Sequence, residues 1–266
     1  MDISVIIVNY NTSRVFKNCL NSIWKYKNDY QLEVIVVDNN SFDDSVVMIR
    51  KDFPEVKLLI NHENQGFARA NNLAARIADS EILFFLNPDT LIQENIFQKI
   101  IEIFEANPRV GIVAPQLVVP DSSPQPWAYG KEEGLWQLVK NKFKNNLPTY
   151  QLTNLLTKAD WVSGAALIVR RDVFEKVGGF DENFFMYFED RDLCYRVRQL
   201  GYKIIVLPEI KVVHFGGKSL TKNKERKKLY YQSQSYYWRK HYGLAVSLLL
   251  RLIRWPYKFY ILNIQK

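Results

Sequence analysis

The sequence predicts an α/β fold, a mostly parallel sheet flanked by helices, and three observations carry that prediction. Apolar, β-branched runs alternate with stretches of helical spacing over the first hundred residues. The apolar runs are continuous rather than alternating, as expected of strands buried on both faces. Each strand ends on amides or acids: Asn9 and Asn11, Asp38 and Asn39, Asn64, then Asn87 and Asp89. In open α/β sheets ligands bind at the carboxyl ends of the strands, so this loading points to one polar ligand lying across that edge. Asn, Asp and Gly are also good turn formers, which accounts for any one of these ends taken alone.

The elements follow in order. Residues 3–9, ISVIIVN, form the first strand. Phe16, Leu20, Ile23 and Trp24 give helical spacing over 12–27. LEVIVVDNNS (32–41) is a strand ending on Asp38, and a helix over 43–51 stops before Pro54. VKLLIN (56–61) is a strand, and ENQGFARANNLAARIA (63–78) is a glycine turn leading into a helix. EILFFL (81–86) is a strand that halts on Asn87-Pro88-Asp89, and 93–106 has helical spacing with Pro108 beyond it. PQLVVPDSSPQPWAYG (115–130) has four prolines and reads as loop, and LWQLVKNKFKNNL (135–147) as a short amphipathic helix. Patterning returns with a strand over 162–169, a helix over 172–177, a Gly178-Gly179 turn, a helix over 190–200 closed by Gly201, and strands at 204–207 and at KVVH, ending on His214.

Composition divides the chain. Residues 218–266 hold twelve Lys and Arg against one acid, whereas residues 1–217 are mildly acidic. The tail alternates bases with Tyr, Trp and Leu, and Arg251, Arg254, Pro256 and Lys258 interrupt its apolar stretch. That pattern suits a helix lying in a membrane interface rather than spanning it. A helix docked on the body is the other reading. Cys19 and Cys194 sit in apolar contexts and read as buried free thiols. The start lacks the basic region of a signal peptide, which makes the cytoplasm the expected compartment.

Three sites carry chemistry. Asp89, on a proline-stiffened turn beside Asn87, can hold Mg²⁺ or Mn²⁺, which take one or two carboxylates and complete their shell with substrate phosphates. It can equally cap the next helix. Glu189, Asp190 and Asp192 crowd one helix start among Tyr187, Phe188 and Leu193, which favours a raised pKa and a general base at Asp190. Asp190 can also be a plain N-cap. His214, followed by glycines, can complete a Mn²⁺ site. No Gly-x-Gly-x-x-Gly and no P-loop motif occurs.

The stretches VIIVNYN (5–11), VIVVDNNSFDDS (34–45), NQGFARANN (64–72), FLNPDT (85–90), WVSGAALIVRRDVFEKVGGFDENFFMYFEDRDLCYRV (161–197) and VVHFGG (212–217) together resemble glycosyltransferase family 2 enzymes of GT-A fold, and most nearly the bacterial rhamnosyltransferase-like branch. The resemblance implies a GT-A domain over 1–217, with a nucleotide-sugar-binding half at 1–114 and an acceptor and catalytic half at 115–217, followed by the helical tail 218–266. It implies an inverting, metal-dependent transfer of a sugar, rhamnose in particular, from a dTDP- or UDP-sugar to a glycan or lipid-linked glycan acceptor in cell-surface polysaccharide synthesis. Asp190 matches the catalytic base. Asp89 and His214 match the metal ligands for Mg²⁺ or Mn²⁺, with Asn87 replacing the usual first acid of the motif. Val8, Asn9, Asp38 and Asn39 fall where relatives hold the base, Asn64, Gly66 and Arg69 near the ribose and diphosphate, and Trp161 and Gly164 beside the sugar and acceptor. The tail implies a peripheral membrane partner, and nucleic acid is not expected as one. A nucleotidyltransferase, or a non-catalytic membrane- or nucleic-acid-binding module, is the alternative reading of the residues.

Overall fold

The computed structural model describes residues 2–27, 29–132, 156–216 and 223–259. The amphipathic helix expected at 135–147 lies outside them. The first seven elements are β1 (Ile3–Asn9), α1 (Ser13–Lys27), β2 (Leu32–Asp38), α2 (Ser45–Asp52), β3 (Lys57–Ile60), α3 (Gly66–Ile77) and β4 (Ile82–Leu86), which alternate as the pattern predicts. Strands β3, β2, β1 and β4 lie side by side and parallel. Six of the seven residues of β1 and all of β4 are buried, which is why their sequences are uninterrupted apolar runs. Helix α1 turns Phe16, Cys19, Leu20 and Ile23 onto the sheet. Burying each such side chain contributes about 1.5–3 kcal/mol, and Leu20→Ala would cost about 2–5 kcal/mol.

Beyond β4 come β5 (Thr90–Ile92), α4 (Phe97–Ala106), β6 (Val110–Val118), β7 (Tyr129–Gly130), β8 (Thr157–Ala159), β9 (Trp161–Val162), β10 (Ala166–Arg170), α5 (Arg171–Lys176), α6 (Glu189–Gln199) and β11 (Lys203–His214). Here the sheet becomes mixed. Strand β10 runs antiparallel between β4 and β6, and β11 is parallel to β6 but antiparallel to β5. The sheet order is β3-β2-β1-β4-β10-β6-β11-β5.

Four boundaries differ from the sequence reading. The helix expected at 93 starts at Phe97, because Asn87-Pro88-Asp89 leads into β5, whose Thr90 pairs with His214. Asp89 therefore caps no helix. The strand expected over 162–169 breaks at Ser163-Gly164-Ala165 into β9 and β10. The two strands read at 204–207 and at KVVH are one strand that crosses Pro208. Strand β6 runs through Pro115, which stands opposite Leu207 beside a register shift, where a missing N–H is tolerated.

The tail forms α7 (Asn223–Tyr242) and α8 (Leu244–Phe259). Helix α7 is docked. Tyr237 and Trp238 join Phe184, Phe188 and Leu250 in a second apolar cluster. Lys240 and His241 reach the fully buried Asp192 at 2.6 and 2.7 Å. No helix among the described residues is long and apolar enough to cross a membrane.

Candidate active site

The carboxyl ends of β1, β2 and β4, the turn before β10 and the start of α6 enclose one cleft with about 390 Å³ of free space. Ten of the residues singled out from sequence line it: Val8, Asn39, Asn64, Gly66, Asn87, Asp89, Trp161, Gly164, Asp190 and His214.

Asp89 and His214 arrive from neighbouring chain segments, because β5 pairs with the end of β11. The N–H of Phe215 donates to the Asp89 carbonyl and pins the turn. Asp89 Oδ1 lies 3.2 Å from His214 Nε2. The other ring nitrogen, Nδ1, lies 2.9 Å from Gln125 Oε1. A carboxamide oxygen only accepts, so Nδ1 donates to it, and the neutral imidazole then presents a lone pair at Nε2. In the neutral ring that lone pair is turned toward the Asp89 carboxylate and toward the Asn87 amide, 3.4 Å away, so a divalent cation can bridge the carboxylate and Nε2. Adjacent ligands of an octahedral ion with bonds of about 2.1 Å stand about 3.0 Å apart, close to the 3.2 Å observed. The Gln125 contact is also the outer support that metal-ligating histidines usually have. The pair fits Mg²⁺ or Mn²⁺. Among the described residues no cluster of three or more His, Cys, Asp or Glu could hold a metal, so the shell would be completed by the neighbouring Asn87 amide, solvent or substrate.

Asp190 reaches the cleft through a strained turn. Tyr187 and Phe188 both take left-handed backbone conformations, at φ 69° and 68°, each at a cost of about 1–3 kcal/mol. The strain is held from two sides: the Phe67 N–H donates to the Phe185 carbonyl, and Ser233 of α7 donates to the Met186 carbonyl. Helix α6 begins with Glu189, capped by the backbone of Phe188 rather than by Asp190. The Asp190 carboxylate instead accepts from the N–H groups of Gly164 (2.9 Å) and Arg191 (2.7 Å). Burial raises its pKa above the ordinary carboxylate value, and those two N–H groups pull it part of the way back. Burial raises Glu189 further, with the Asp190 charge adding to it. The Asp192 charge also adds to the rise at Glu189. Asp192 itself pairs with Arg196, Lys240 and His241; burial would raise its pKa, but these partners hold it below the usual range. Both thiols are buried and free, and burial pushes each up to about 12.

Three expected site residues stand outside the cleft lining. Asn9 donates to Asp38 (2.7 Å), and Asp38 also accepts from the Ser41 N–H (2.8 Å). Both residues are buried and close the floor between β1 and β2. Arg69 reaches Glu182 at 3.1 Å on the outer face of α3. The wall itself is made by Asn39, which donates to the Gly66 carbonyl and accepts from Asn61. Gly66 has φ 80°, and a β-carbon there would lie 2.4 Å from the Phe185 carbonyl oxygen, so only glycine closes this corner.

The sequence reading missed Tyr10, Phe67, Trp127, Arg191, Arg226 and Tyr230, which also line the cleft. Arg226 and Tyr230 belong to α7, so the tail contributes to the site. The proline-rich loop supplies Trp127, half of whose surface is exposed at the rim.

The family model described as Glycosyl transferase family 2 matches residues 4–178. The chain belongs to glycosyltransferase family 2. It is 26% identical over 234 residues to an N-acetylglucosaminyl-diphospho-decaprenol L-rhamnosyltransferase of Mycobacterium tuberculosis, covering 79% of this chain and 75% of that one. It is 29% identical over 226 residues to the dTDP-rhamnosyl transferase RfbF of Shigella flexneri, covering 82% and 71%. Among solved structures it resembles a mannosyltransferase of Pyrobaculum calidifontis in complex with GDP-Man and Mn2+, with a TM-score of 0.64 at 21% identity, covering 90% of this chain and 63% of that one. The fold class and the glycosyltransferase assignment expected from the sequence both hold, as does its rhamnosyltransferase-like branch.

Proposed function

We propose that this glycosyltransferase moves a sugar, rhamnose in particular, from a dTDP- or UDP-sugar to a glycan or lipid-linked glycan, with inversion and with Mg²⁺ or Mn²⁺. The observation that carries the reading is that the Asp89–His214 pair and Asp190 face the same cleft. Relatives whose names include dTDP-rhamnosyl and L-rhamnosyl transfer support the choice of sugar.

Asp89 and His214 would hold the metal, which supplies positive charge for the departing diphosphate. Val8, Asn39, Asn64 and Gly66 form the wall for the nucleotide, and Asn9 and Asp38 fix that wall from behind. Asp190 takes the proton of the acceptor hydroxyl as its oxygen bonds to the anomeric carbon from the side opposite the leaving group. The bond from that carbon to the diphosphate oxygen breaks, and its electron pair leaves with the nucleoside diphosphate. A raised pKa suits Asp190 to this proton transfer, worth about 10²–10⁴-fold in rate. The two N–H groups on its carboxylate fix its direction.

The tail supports a peripheral role at the inner face of a membrane. Helix α8 leaves Leu244, Leu248, Leu249 and Leu252 exposed beside Arg251, the composition of an interfacial helix. Cosedimentation with anionic vesicles, lost in Leu248→Asp with Leu252→Asp, tests this part.

A thermal-shift panel of nucleotide sugars with and without Mn²⁺ tests the reading as a whole. The correct donor at 100 times its Kd adds about 2.7 kcal/mol, and only with the metal. Absence of a shift with every dTDP- and UDP-sugar would reject the reading.

A further inference from the structure

Two arginines of the cleft have no acid partner among the described residues, whereas five others of the body are paired. Arg69 and Arg76 reach Glu182, Arg171 reaches Glu175, Arg196 reaches Asp192, and Arg198 reaches Glu132. Arg191 and Arg226 both line the cleft, yet no described carboxylate lies within ion-pair distance of either. The Arg191 guanidinium lies 4.0 Å from the centre of the Trp161 ring and 5.4 Å from that of Phe188. Arg226 Nε stands 3.4 Å from the Tyr187 hydroxyl. The rings of Tyr187, Phe188 and Tyr230 connect them, with centroids 5.9 and 5.3 Å apart.

A guanidinium held on aromatic faces keeps its planar fork of N–H donors free, and that fork matches phosphate oxygens. Among the cleft's acids Asp190 feels the Arg191 charge, which places this guanidinium beside the base, but no ion pair joins them. The donor diphosphate would meet its countercharge in the metal that Asp89 and His214 would hold. Arg191 follows the base Asp190 directly in the chain, so an anion on this side arrives with the molecule whose hydroxyl Asp190 deprotonates. Resting on the glycosyltransferase reading, we infer that Arg191 and Arg226 form a phosphate subsite for the acceptor, and that the acceptor is a sugar phosphate ester or diphosphate. Helix α7 is then part of acceptor selection, since it delivers Arg226 and Tyr230 to the cleft and is anchored through Asp192.

The test is calorimetric binding to the full chain, with and without saturating Mn²⁺ and dTDP or UDP. Three probes are compared: N-acetylglucosaminyl-diphospho-farnesol, N-acetylglucosamine 1-phosphate, and the octyl glycoside of N-acetylglucosamine, which lacks phosphate. Both phosphate-bearing probes bind beside the nucleotide, and the octyl glycoside binds far more weakly. Arg191→Gln and Arg226→Gln each weaken the phosphate-bearing probes by about tenfold or more and leave nucleotide affinity and Tm unchanged. Arg191→Lys, which keeps the charge and loses the fork, separates phosphate recognition from packing against Trp161 and also loses affinity. Tighter binding of the farnesyl probe identifies a lipid-linked source, and equal binding a soluble phosphoglycan. The inference is overturned if the octyl glycoside binds as well as the others, if no phosphate-bearing probe binds, or if the variants weaken dTDP or UDP instead. Failure of dTDP and UDP to bind would count against the glycosyltransferase reading separately, because the probes are also titrated without them.

Discussion

Asp38 and Asp89 both follow parallel strands at the carboxyl edge of one sheet, and both are almost wholly buried, yet their surroundings are opposite. Asp38 has a donor on each oxygen, the Asn9 amide and the Ser41 N–H. Asp89 faces the lone pair of His214 Nε2, itself fixed by Gln125. A satisfied carboxylate is part of the scaffold. A carboxylate set beside an imidazole lone pair is a pair of ligands ready for a cation. Burial and position do not separate the two roles; the chemistry of the nearest neighbour does.

Asp190 extends the comparison, since its oxygens are directed by two N–H groups but still face the cleft. Asp190→Asn keeps the shape and removes the base, so kcat falls by about 10²–10⁴-fold while nucleotide affinity stays as it was. Full transfer by this variant would exclude Asp190 as the base. Next, Asp89→Asn gives an amide that can donate to His214 Nε2. Its Tm without metal holds or rises, whereas the Mn²⁺-dependent stabilisation, about 2.7 kcal/mol at 100 times Kd, disappears. Asp38→Asn does the reverse. It sets an amide against the Asn9 and Ser41 donors and lowers stability by about 1–3 kcal/mol, readable by urea denaturation. If Asp38→Asn lost nucleotide affinity with its stability intact, the contrast between the two acids would collapse.

The smallest effect is on pH dependence. Glu189 and Asp190 bind their protons more tightly in the folded state than in the unfolded one. Their contribution to stability is therefore complete below the ordinary carboxylate pKa and is lost as pH rises through their raised folded values. Glu189→Gln removes part of that loss and gains stability relative to the parent between mildly acidic and neutral pH. Activity has the opposite sign: it falls on the acid side as Asp190 is protonated, at a pH above that of an ordinary aspartate. An acid limb at the ordinary aspartate value would remove the raised pKa from the account.

Much of this was legible in the sequence because it is local. Continuous apolar runs gave the parallel strands, Asn87-Pro88-Asp89 marked an abrupt strand end, and Glu189-Asp190 marked a helix start. What was not legible depends on contacts between distant segments. Asn9 and Asp38 read as site residues, and residue type does not reveal that they also bond each other across β1 and β2. Pro115 looked like loop because the register shift that accommodates it lies on β11. Arg226 and Tyr230 looked like tail because only the docking of α7 brings them to the cleft.

Anomalous scattering from a crystal grown with Mn²⁺ and dTDP or UDP tests the central claim most directly. The account requires one strong Mn²⁺ peak between Asp89 Oδ1 and His214 Nε2, bonded to both at about 2.1 Å and to the nucleotide diphosphate. A nucleotide bound in the cleft with no metal at that pair, or with its metal on other carboxylates, would contradict it.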